Sequence, residues 1–166
     1  MIIESVAALM ARELDTLARE VEAYPDEAAI WTVHPAAPNS GGVLTRHLCG
    51  NLQHFVGAVL GRTGYQRDRE AEFRAPPATR AELLAEIGRT RGAVATTLAG
   101  LAPARLAEPY PQALAGQRFT TGDFLLHLAT HLAYHLGQVD YHRRLTAGGG
   151  TAKAMAIPEL ASATPE

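Results

Sequence analysis

The sequence predicts an all-α protein, a four-helix bundle with a long crossover connection. Three observations carry that expectation. Ala and Leu are abundant while aromatic residues make up only 6% of the chain, a mix that favours helix over strand. Apolar residues recur at steps of three and four in several separate stretches, the period of a helix with one buried face. Breaks rich in Pro and Gly separate those stretches, as connections between helices require. At 166 residues the chain is long enough for one domain with its own core.

The first helix is expected over Ile3 to Ala23, where Ile3, Val6, Met10, Leu14, Leu17 and Val21 form the stripe and Tyr24-Pro25-Asp26 stops it. A loop with Trp31, His34, Pro35 and Pro38 follows. Asn39-Ser40 offers an N-cap for the second helix, which runs to about Leu60-Gly61. Leu44, Leu48, Leu52, Phe55 and Val59 make its apolar face, and His47, Asn51 and His54 a polar stripe beside it. Residues 62 to 77 read as a polar loop. Thr79-Arg80-Ala81-Glu82 is a capping box for the third helix, with Leu84, Ile87, Val94, Leu98 and Leu101 as its stripe, interrupted by Arg91. Pro103 ends it. The connection from Ala104 to Thr120 is long enough to cross the bundle instead of turning tightly. Thr120 or Thr121 caps the fourth helix, which runs to about Leu145 before Gly148-Gly149-Gly150. The bundle is thus expected over residues 1–146, with 147–166 a flexible or loosely packed tail.

Composition narrows the function. A formal net charge of -2 and the lack of a basic patch with interleaved aromatics argue against nucleic-acid binding. No apolar run reaches a membrane span of about 20 residues. The start lacks the basic and long apolar regions of a signal peptide. One cysteine, Cys49, leaves no intrachain disulfide. A cytoplasmic protein is the simplest expectation.

The chemistry concentrates in histidine. Four of seven histidines lie in the fourth helix: His127, His131 and His135 at i, i+4 and i+8, then His142. Residues four apart are neighbours on a helix, about 5–6 Å between Cβ atoms. Such a pair can chelate an ion whose bonds to nitrogen are about 2.0–2.1 Å. The rest of the stretch is apolar, so the imidazoles face a bundle interior, where bare polar rings need partners. A lone buried histidine is ordinarily a hydrogen-bonded core residue. Three in series, opposite a helix carrying His47 and His54, favour a divalent metal: zinc, nickel or iron. Spacing alone does not choose between His127–His131 and His131–His135. His47 is the obvious third ligand, with His54 able to replace it or to support the site from outside. His142 is expected near the helix end, close to the C-terminal dipole, and His34 has no special role.

Other motifs are missing. The glutamate of HExxH is absent, which argues against a zincin-type hydrolase, and neither GxSxG nor a Walker motif occurs. Cys49 reads as a buried inert thiol. Tyr134 and Tyr141, off the histidine stripe, read as packing or dimer residues.

Three stretches together resemble the DinB-like (DinB/YfiT-like) superfamily of small helical bundles. Asn39-Ser40-Gly41-Gly42-Val43-Leu44-Thr45-Arg46-His47-Leu48-Cys49-Gly50-Asn51-Leu52 is similar to its second-helix motif, where a histidine followed by Leu is a ligand. Arg67-Asp68-Arg69-Glu70-Ala71-Glu72-Phe73 is similar to the loop after that helix. His131-Leu132-Ala133-Tyr134-His135-Leu136-Gly137-Gln138 resembles the HxxxHxGQ ligand motif. The resemblance spans residues 1 to 146. It implies metal ligands His47, His131 and His135, with His127 a departure one turn away that would act as base, hydrogen-bond partner or competing ligand. It also implies a homodimer, and relatives that use low-molecular-weight thiols of the bacillithiol or mycothiol type. Gln138, three residues after His135 on the same face, is expected to hydrogen-bond near the metal, and Asn51 and Glu72 to fix the other nitrogens of ligand imidazoles, with ordinary helix or loop solvation as the alternative for each.

The expected function is therefore a metal-dependent enzyme, a thiol S-transferase acting on an electrophilic small molecule. A metal-dependent hydrolase and a non-catalytic, dimeric, stress-related metal-binding protein are the alternatives. In a further reading no metal is present and the histidines form a hydrogen-bonded polar seam.

Overall fold

The computed structural model describes residues 2–149. All regular structure in it is helical. Four long helices make the frame: α1 (Ile2–Glu22), α3 (Gly41–Leu52), α5 (Arg80–Ala99) and α6 (Thr121–Ala147). Two short helices lie in the connections, α2 (Glu27–Trp31) and α4 (Arg69–Arg74). The tail expected from residue 147 onward lies outside the described residues, apart from Ala147, which is the last residue of α6, and Gly148 and Gly149.

The predicted caps form. Ser40 accepts from Val43 N at 3.2 Å, and Thr120 accepts from Asp123 N at 3.1 Å. Thr79 and Glu82 close the capping box. The α1 stripe is buried as its period requires, with Met10, Leu14, Leu17 and Val21 fully enclosed. On α5 the inward face is Leu83, Ile87, Thr90, Val94, Thr97 and Leu98. Leu83 joins the stripe at its start, with Leu84 half-buried against the same core, and the apparent interruption at Arg91 is filled by Thr90. Arg91 itself reaches outward to Asp15.

Three expectations need correction. The loop after α1 contains α2, because Asp26 accepts from Ala29 N at 2.8 Å and starts a helical turn. The second helix is not uniform: α3 passes at Leu52 into a π-helical stretch, Gln53–Leu60, a form often found at functional sites. The polar loop of residues 62–77 contains α4, where Asp68 caps Ala71 N at 2.9 Å and Glu70 pairs with Arg74 one turn on.

Contacts fix the arrangement. α1 packs against α5 and α6, and α3 packs against the same two helices, so α1 and α3 are diagonal. Glu20 of α1 pairs with Arg143 of α6, end to end, so those helices run parallel. Phe55, beyond α3, meets Phe124, while His47 meets His131 and His135, so α3 runs antiparallel to α6. Asp15–Arg91 and the Arg80 bond to Tyr24 O set α5 antiparallel to α1. α3 and α5 are therefore parallel neighbours, and the chain between them must return along the bundle. That return is the 61–79 connection carrying α4. The 104–120 connection crosses between the diagonal helices α5 and α6, as its length predicts, and a 3₁₀ turn at Pro103–Ala107 begins it.

No helix among the described residues is long and apolar enough to cross a membrane.

Candidate metal centre

His47 lies in the middle of α3, 8% exposed. His131 and His135 lie half-buried on the facing side of α6. One nitrogen from each ring lies within 4.8 Å of the other two, and His47 Nε2 stands 3.4 Å from His131 Nε2. Two nitrogens bound about 2.05 Å from one ion at a tetrahedral angle would be about 3.4 Å apart. The same distance is long for a hydrogen bond between the rings. The three-histidine cluster could bind a metal ion.

The protein orients two of the rings from behind. Glu72 accepts from His47 Nδ1 at 3.0 Å, and Gln138 accepts through Oε1 from His135 Nδ1 at 2.6 Å. A carboxylate and an amide oxygen can only accept, so each Nδ1 carries the proton and each Nε2 keeps its lone pair. Histidine ligands in metal sites are held this way by a bond to the other nitrogen. Glu72 and Gln138 thus each bond one imidazole of the cluster.

Glu72 is positioned by α4, a short helix inside the connection of residues 62–77. Its side chain is buried, the residue being 6% exposed, and Arg67 grips both of its oxygens at 2.6 and 2.9 Å. Burial pushes the Glu72 carboxyl up, but the His47 and Arg67 hydrogen bonds outweigh it and leave it below the ordinary carboxylate range. Arg46 holds the chain after α4 by bonding Ala75 O and Pro76 O, while its guanidinium lies over Trp31 at 4.5 Å. Gly50 gives the carboxylate room: a Cβ there would stand 2.2 Å from Glu72 Oε1. Arg67 and Gly50 escaped sequence reasoning. Nothing in their spacing marks them, since both act through a contact between α3 and the crossover.

The imidazoles are in the state a metal needs. Burial and the neighbouring His135, His47, His127 and Arg67 push His131 down to about 4. Burial also lowers His135, against the Gln138 hydrogen bond. Both rings are neutral near pH 7, with lone pairs available.

The remaining histidines stay outside the cluster. His127 is exposed, stacked on Phe124 at 5.7 Å, with its ring centroid 6.1 Å from that of His131. His54 lies seven residues from His47, about 10 Å along the helix, with its ring against Phe55. His34 accepts from Ala36 N in its loop. His142 lies near the C-terminal end of α6, as expected. It is 2% exposed, and its Nε2 donates to Thr32 O at 2.7 Å, so its Nδ1 accepts from the Tyr24 hydroxyl at 2.6 Å. It ties α6 to the chain after α1 and to the chain after α2.

Asn51, expected to fix an imidazole, bonds to none: its Oδ1 is buried without a partner. Tyr134 and Tyr141 are 66% and 62% exposed, Tyr134 with its ring against His135 and Tyr141 beneath the Arg144 guanidinium. Cys49 is fully buried, which pushes its thiol up to about 12.

A helical bundle with three imidazoles converging from two antiparallel helices defines a class, the small helical-bundle proteins whose histidine cluster could hold a metal ion. The chain belongs to the DinB superfamily, whose profile matches residues 9–139. No curated protein matches it.

Proposed function

We propose that this DinB-superfamily protein is a divalent-metal-dependent enzyme, with His47, His131 and His135 as the ligands and a low-molecular-weight thiol as the nucleophile. The observation that carries the reading is the count of converging rings. Three histidines come together among the described residues, and neither His127 nor His54 joins them. A three-ligand set leaves a position for substrate, whereas a structural site is ordinarily closed by four. That count favours catalysis over a purely structural metal.

When bound, the ion would supply the Lewis acidity that deprotonates a thiol or acidifies a water. The protein's own part is orientation. Glu72 and Gln138 hold the two Nδ1 protons, and Arg67 keeps Glu72 ionised and in place. Beside Gln138 lies a cleft of about 230 Å³ bounded by Pro38, Leu44, Tyr141 and Leu145, with no charged residue in its lining. It suits an uncharged electrophile. Kinship with the thiol-dependent transferases of the superfamily supports the thiol, and hydrolysis by the same centre is the second reading.

A homodimer fits the outer face of α6. Leu126, Tyr134, Tyr141 and Leu145 are all more than half exposed there, and no Asp, Glu, Lys or Arg occurs between Asp123 and Asp140. A two-fold contact sets a surface against itself, so an uncharged face avoids like-charge repulsion.

The test is a panel of low-molecular-weight thiols and electrophiles, run on protein loaded in turn with zinc, nickel and ferrous iron. Metal-dependent thiol consumption that disappears in His131→Ala supports the proposal. Metal-dependent hydrolysis with no thiol requirement would favour the second reading, and full turnover by metal-free protein would contradict both.

A further inference from the structure

Asn51 has no hydrogen bond from its side chain, although it is only 8% exposed and its Oδ1 is enclosed. Buried amides ordinarily find partners, because an unmade bond there is costly. The position of this one is telling. It lies four residues after His47, one turn along the same face of α3. α3 and α6 run antiparallel, with His47 against His131 and His135, and Phe55 against Phe124. Interpolating between those contacts sets Asn51 against the turn of α6 that carries His127, Leu128 and His131.

The outer nitrogens of His47 and His135 are already held by Glu72 and Gln138. Asn51 bonds none of the three rings, His131 included, so its Oδ1 is free to accept from a ligand. We infer that Asn51 Oδ1 is the acceptor for a small ligand held at the three-histidine centre, one that carries an N–H or O–H donor beside its ion-binding atom. This rests on the metal reading of the cluster given above. The amide is neutral, so it selects by hydrogen bonding and not by charge. A ligand lacking the donor would leave Oδ1 buried and unpaired, and specificity of this kind comes from that penalty. His127 is exposed, with its ring centroid 6.1 Å from that of His131.

The experiment uses the full chain loaded with Co²⁺ and two probes, acetohydroxamate and N-methylacetohydroxamate, which differ in the N–H. Binding is followed by the visible spectrum of the cobalt. The wild type is expected to bind acetohydroxamate about fivefold more tightly, the worth of one hydrogen bond. Asn51→Leu, close in size, is expected to erase that preference while keeping Co²⁺ affinity within about threefold. Asn51→Ala is measured beside it as a second variant and is expected to lose the preference too. The melting temperature of metal-free Asn51→Leu is expected to rise, since a buried unpaired amide is removed. A preference that survives in both variants, or none in the wild type, overturns the inference, and so does a fall in melting temperature, which would mark a structural amide. Failure of the wild type to take up Co²⁺ overturns the metal reading itself, and this inference with it.

Discussion

Glu72 accepts a hydrogen bond from His47 Nδ1 at 3.0 Å, across the contact between α4 and α3. That bond decides which nitrogen of His47 faces His131. Glu72→Gln should therefore weaken metal binding by about 10–100-fold, the usual effect of losing such a partner. Isothermal titration with Zn²⁺ measures it, and circular dichroism should show unchanged helix. Gly50→Ala should weaken binding in the same direction, because the new methyl would displace the Glu72 carboxylate from the side.

The four histidines outside the cluster divide from the three within it. His131→Ala should abolish stoichiometric metal, while His34→Ala, His54→Ala and His127→Ala should each retain one ion per chain. Elemental analysis after dialysis reads this directly. Loss of metal in His127→Ala would place that ring among the ligands.

Much of the bundle was legible in the sequence because its signals are local. Caps at Ser40, Thr79 and Thr120 and the stripe of α1 need only neighbours in the chain to be read. The spacing of His131 and His135 is equally local, yet it could not separate that pair from His127 and His131. The choice needed the resemblance to a known motif, and in the structure it depends on where His47 sits across the bundle. The functions of Arg67 and Gly50 were illegible for the same reason. They matter through a contact between α3 and the 61–79 return, which no periodicity encodes. The partners of His142 were illegible too, because Tyr24 and Thr32 O reach it from the chain after α1 and after α2.

Acid should destabilise the metal-free protein through His142. Burial lowers its pKa below the ordinary 6.5, against the Thr32 hydrogen bond and with some help from His34. The unfolded chain then takes up a proton near pH 6.5 that the folded chain resists. Stability is full above that pH and is lost as pH falls toward the lower folded value. His131 and His135 shift in the same direction and add to the loss. Melting temperatures between pH 7.5 and pH 5 should fall steeply in the wild type and less steeply in His142→Gln.

Cys49 should be silent in the native protein. With its thiol buried and pushed up to about 12, too little thiolate forms to react. A chromogenic disulfide reagent should titrate no thiol in the native protein and one after denaturation. Rapid native reaction would show that α3 opens at this position.

The central claim is met most directly by X-ray absorption fine structure on protein reconstituted with one equivalent of Zn²⁺. The account predicts three imidazole nitrogens at about 2.0–2.1 Å, with the imidazole signal reduced in each of His47→Ala, His131→Ala and His135→Ala. A shell of four imidazoles, or one that is unchanged in those variants, would contradict it.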